Sequence, residues 1–109
     1  GVQTMLGSLH SNTAELPHVE LGVPGAGNVW PTSTQRAIGE GVGRMQVALI
    51  ESLANELETQ WGETPTLWLC GGFAPAMKKL LPSANLLEHA VFKGLVLDYQ
   101  LFRQGARCF

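Results

Sequence analysis

Thr66-Leu67-Trp68-Leu69-Cys70-Gly71-Gly72-Phe73-Ala74-Pro75 is the stretch that decides the fold. Thr66 to Cys70 carries no charged residue, the pattern of a short strand covered on both faces. A glycine pair then turns the chain, and Pro75 opens a helical stretch through Met77, Leu80 and Leu81 that Pro82 stops. Strand, glycine turn and helix in that order predict an α/β protein with this strand near its centre.

Upstream, Ser33 and Thr34 precede the longest periodic segment. Ile38, Val42, Met45, Leu49, Leu53 and Leu57 form one stripe, and Arg36, Glu40, Arg44, Glu51 and Glu58 fall mostly off it. A long helix ending at Gly62 and Pro65 follows. Gly39, Gly41 and Gly43 lie in its first turns, each at a cost of about 1 kcal/mol relative to alanine, which close approach of another backbone or a ligand would offset. Further back, Val2, Met5, Leu6, Leu9, Thr13 and Leu16 recur at helical steps up to Pro17. Val19 and Leu21 then alternate with His18 and Glu20 like a short strand, and Gly22 to Pro31 reads as a mobile loop with three glycines and two prolines. Downstream, Leu86 to His89 predicts a second short strand, and Phe92, Leu95, Val96, Tyr99 and Phe102 a closing helix.

The chain has 109 residues, 45% hydrophobic and 15% charged, which fits one domain or half-domain with some apolar surface covered by a partner. Seven basic and nine acidic side chains leave a formal charge of -2, without the excess that a nucleic-acid backbone demands, so no nucleic acid is expected. No apolar run approaches the ~20 residues of a membrane span, and no charged leader precedes an apolar core. Cys70 and Cys108 lie far apart and show no metal spacing, which favours a reducing cytoplasm. The start at Gly1-Val2-Gln3, without an initiator methionine and already inside an apolar pattern, predicts a fragment or a processed chain.

Few residues suggest chemistry by themselves. The Cys70-Gly71-Gly72 turn leaves a strand beside a helix N-terminus, where a ligand can approach the backbone, though taken alone a tight strand-to-helix turn is the better account. Gly39-Glu40-Gly41-Val42-Gly43 resembles a nucleotide loop but follows no strand, so close helix packing is the better account. Pro31-Thr32-Ser33-Thr34 offers hydroxyls at a helix N-terminus, for a polar ligand or for capping. Lys78 and Lys79 could face a phosphate or simply be solvated. Trp30, Trp61 and Trp68 read as packing residues, and His10, His18 and His89 as scattered non-metal residues. No acid, base or nucleophile constellation is present, so no catalytic and no metal-ligating residue is assigned.

Four blocks in order resemble the C-terminal part of the type III pantothenate kinase, or Bvg accessory factor, family. Thr13-Ala14-Glu15-Leu16-Pro17-His18-Val19 looks like the family's Thr-Ala-x-Leu-Pro-x-Val. Ser33-Thr34-Gln35-Arg36-Ala37-Ile38 with Gly41 resembles its Asn-Thr helix, and Cys70-Gly71-Gly72-Phe73-Ala74-Pro75 its Thr-Gly-Gly turn. Val91-Phe92-Lys93-Gly94-Leu95 resembles its closing Leu-x-x-Gly-Leu. Gly1 is similar to the last glycine of Gly-Gly-x-Ile-x-Pro-Gly. The resemblance implies that residues 1–109 are one ribonuclease H-like half of the acetate and sugar kinase, Hsp70 and actin superfamily, built round a long central helix.

The activity implied is transfer of the ATP γ-phosphate to pantothenate in coenzyme A synthesis, in a homodimer, with Mg and a monovalent cation, K or NH4. By the same resemblance, Thr34 contacts pantothenate, and Gly71 and Gly72 lie near the adenosine of the nucleotide. The phosphate loops, the catalytic aspartate and the cation sites are expected upstream, in the N-terminal half, so this chain alone is expected to be inactive. Cys70 for threonine and Ser33 for asparagine are departures from the pattern. The alternative is a non-catalytic regulatory or accessory protein that keeps the kinase fold.

Overall fold

The computed structural model describes residues 1–24 and 30–105. The elements run α1 (Val2–Asn12), α2 (Thr34–Trp61), β1 (Trp68–Leu69), α3 (Ala74–Leu80), β2 (Asn85–Leu86) and α4 (Ala90–Arg103). β1 and β2 pair in parallel, with Trp68 beside Asn85 and Leu69 beside Leu86. Asn85 N–H donates to Leu67 O and Leu87 N–H to Leu69 O, each at 2.8 Å. The chain is thus α/β, with α3 as the crossover between parallel strands.

α3 positions the sheet. Met77, Leu81 and Ala84 form the buried cluster, and Val2, Leu21, Val47, Ile50, Leu67 and Leu69 pack against it. Lys78 Nζ, which could have faced a phosphate, donates to the carbonyls of Pro82 and Ala84 and ties down the loop between α3 and β2.

The two-sided cover expected for Thr66 to Cys70 does not occur. Leu67 and Leu69 are half-buried towards α3, but Trp68 is 59% exposed, because no described element lies on the outer face. Trp30 and Trp61 are also mostly exposed, which corrects their reading as packing residues.

α2 forms as its sequence predicts. Ser33 Oγ accepts from Arg36 N–H, and Gly62, with φ 76°, closes the C-terminus in the left-handed conformation that glycine permits. Its inward face is rotated by about one position from the predicted stripe. Gly39, Val42 and Gly43 are buried, with Val47 and Ile50 facing the core, whereas Met45, Leu49 and Leu53 are about half exposed.

Two of the three early glycines have the packing reason anticipated for them. A Cβ on Gly39 would stand 2.6 Å from Glu20 O, and one on Gly43 3.0 Å from Gly22 O. The segment through Val19 and Leu21 therefore forms no strand; its backbone lies on the glycine face of α2. Around Gly41 there is open space.

α1 ends at Asn12, not near Leu16. Thr13 Oγ1 bonds back to Leu9 O, and the His10 ring bonds Leu16 O through Nδ1 at 2.7 Å, so side chains redirect the tail across the end of the helix. His10 and His18, read as scattered, meet edge to face with centroids 5.6 Å apart. Of the predicted mobile loop, residues 25–29 lie outside the described residues, as does Cys108. α4 matches its prediction but packs on no other helix or strand among the described residues. No helix among the described residues is long and apolar enough to cross a membrane.

Candidate functional site

The parallel pairing of β1 with β2 brings two chain segments together at their carboxyl ends, where open α/β sheets take ligands. β1 delivers Cys70, Gly71 and Gly72, and β2 delivers Leu87, Glu88 and His89. Between them lies a cavity of about 520 Å³ that Phe92 of α4 also lines, within the size range of small-molecule sites.

The two glycines differ in what they need. Gly71 has φ 92°, which only glycine adopts without strain, and its carbonyl accepts from Ala74 N–H at 3.1 Å to close the turn. Gly72 has no positive φ, and a Cβ built on it meets nothing within 4 Å. Neither backbone nor packing within the described residues requires a glycine at 72. A bare backbone facing an open cavity is what a closely approaching ligand uses. Cys70 is exposed and unbonded beside the turn.

Thr34 stands elsewhere, as the first residue of α2, and lines neither this cavity nor the groove between α2 and α3. The capping role falls to Ser33, so the Thr34 hydroxyl is not the cap; it is exposed at the positive end of a 28-residue helix. One turn on, Arg36 Nε and Nη2 both donate to Glu40 Oε1, at 2.9 and 2.7 Å. Glu40 is 3% exposed, and its Oε2 has no hydrogen-bond partner among the described residues. Sequence reasoning placed Glu40 off the apolar stripe and missed its burial. The signal available was its position between Gly39 and Gly41, where a neighbouring backbone comes close.

These features make the chain an α/β protein with a cleft of small-molecule size at the carboxyl edge of its parallel strands. Comparison with known proteins narrows this class. The family model described as type III pantothenate kinase matches residues 1–56. Type III pantothenate kinases from two strains of Stenotrophomonas maltophilia are 35% and 34% identical over 92 residues, 84% of this chain and 36% of each relative. One from Pseudomonas putida is 29% identical over 89% of this chain and 40% of its own length. No solved structure matches the chain. The chain belongs to the type III pantothenate kinase family, and it spans little more than a third of the length of the relatives it matches.

Proposed function

We propose that this chain is the C-terminal part of an ATP-dependent pantothenate kinase. It supplies one wall of the nucleotide cleft through Gly71 and Gly72 and a pantothenate contact through Thr34. The observation that carries the reading is the open Gly72 backbone at the carboxyl edge of the parallel strands, in a chain of this family. In the reaction, the primary hydroxyl oxygen of pantothenate bonds to the γ-phosphorus of ATP and the bond to the bridging oxygen breaks. ADP leaves, and the hydroxyl proton passes to a base outside this chain's matched residues. Catalysis of this type is positioning plus charge stabilisation.

By the family resemblance, the phosphate loops, the catalytic aspartate and the sites for Mg and for K or NH4 belong to an upstream half. The two ribonuclease H-like halves would close on the nucleotide in a cytoplasmic homodimer. Among the described residues no group of three or more His, Cys, Asp or Glu side chains could hold a metal ion. Gly71 and Thr34, both at helix N-termini or beside them, offer the nucleotide and pantothenate backbone amides and one hydroxyl.

The test is an assay of the complete protein for ATP-dependent formation of 4′-phosphopantothenate. Turnover supports the kinase. A folded, complete protein without turnover would instead make it the accessory protein that keeps the fold.

A further inference from the structure

His10 stands in the last turn of α1 and His18 lies beyond the end of that helix. The fold brings their rings together, with centroids 5.6 Å apart and planes at 60°. Each residue is held from outside the pair. The His10 ring bonds Leu16 O through Nδ1 at 2.7 Å, and because a carbonyl oxygen can only accept, Nδ1 carries the proton. The neutral ring therefore keeps the Nε2 lone pair free, directed away from that bond. The backbone of His18 is fixed by its neighbour Val19, which is buried against the glycine face of α2. The His18 ring itself is exposed and makes no hydrogen bond among the described residues.

A histidine whose Nδ1–H is tied to a backbone carbonyl while Nε2 faces outward has the outer-shell support usual for a metal-ligating imidazole. Two imidazoles on one tetrahedral Zn2+, with Zn–N bonds of about 2.0–2.1 Å, set their ring centroids about 5 Å apart. The observed spacing needs only a small rotation of the free His18 ring to turn a nitrogen toward the same point. The location favours a cation too, because the C-terminus of a helix is the negative end of its macrodipole.

We propose that His10 and His18, although scattered in sequence, form a two-histidine site for a divalent transition-metal ion of the Zn2+, Ni2+ and Cu2+ class. Water completes the coordination, since no third His, Cys, Asp or Glu side chain joins the pair among the described residues. The bound ion clips the end of α1 to the segment that lies on α2. Imidazole ligands set this site apart from any site for Mg2+, which takes oxygen ligands. It is independent of the proposed kinase reaction.

The test is a Zn2+ titration of the metal-stripped complete protein against a chromophoric chelator, with Mg2+ in excess. The protein should take up a Zn2+ equivalent that Mg2+ does not displace. His18→Gln, which leaves the His10–Leu16 bond in place, should weaken that uptake by at least about tenfold, and His10→Gln likewise. A second measurement on the unsubstituted protein is free of any folding defect in the variants. In long-range 1H–15N NMR spectra, stoichiometric Zn2+ should move His10 Nε2 and a ring nitrogen of His18 while His10 Nδ1 stays protonated. Ring nitrogens of either histidine that stay unmoved overturn the site. Unchanged Zn2+ affinity in either folded variant overturns it as well, and so does displacement of the ion by Mg2+.

Discussion

Ser33 and Thr34 are adjacent hydroxyls with separable roles. Ser33 caps α2, so Ser33→Ala should cost about 1 kcal/mol of stability. Thr34→Ala should cost less than about 0.5 kcal/mol. In the complete enzyme, Thr34→Ala should raise the pantothenate KM by about two- to tenfold with the ATP KM unchanged, the loss expected for one hydrogen bond. Melting temperatures and both Michaelis constants decide between the roles; unchanged pantothenate kinetics would remove Thr34 from the site. The glycines of α2 separate in the same way. Gly39→Ala sets a Cβ against the Glu20 carbonyl oxygen and should cost about 1–3 kcal/mol. Gly41→Ala meets open space and should stabilise the chain by up to about 1 kcal/mol. Urea midpoints of the two variants of the complete protein test this, and equal effects would contradict the packing account.

At the scale of elements, the turn between α3 and β2 is held by Lys78, whose ammonium satisfies two backbone carbonyls, one belonging to the fully buried Ala84. Lys78→Met should therefore cost roughly 1–3 kcal/mol and leave the ATP KM of the complete enzyme unchanged. A raised ATP KM with unaltered stability would return Lys78 to the phosphate. The helices were legible because their apolar spacing, caps and stops act locally: Ser33, Gly62 and Pro82 each mark an end that the structure keeps. The strand order around Gly71-Gly72 was legible for the same reason. What was not legible depended on distant neighbours. Val19 to Leu21 alternates like a strand but lies on the glycines of α2. Thr66 to Cys70 is apolar on both sides but is covered on one. The inward face of α2 turned by one position because glycines, which carry no hydropathy signal, form its contact. Of the candidate site, the glycine turn was visible in sequence, whereas the burial of Glu40 required the tertiary arrangement.

The whole molecule is extended. Its radius of gyration is 18.3 Å, against about 13 Å for a compact domain of this length. α4 exposes Val91, Phe92, Leu95, Val96, Tyr99 and Phe102, and α2 exposes Met45, Leu49 and Leu53. Surfaces so apolar associate, so the 109-residue chain alone should sediment as more than a monomer and unfold without a sharp cooperative transition. A monomer with a sharp melt would contradict that expectation. The central claim is that these residues form the C-terminal wall of a pantothenate kinase site completed by an upstream half. Its most direct test replaces the matching 36% of the Stenotrophomonas maltophilia K279a relative with this chain and measures 4′-phosphopantothenate formation from ATP and pantothenate. The account predicts turnover by the folded chimera and none by the 109-residue chain alone. A folded chimera without turnover, or turnover by the chain alone, would contradict it.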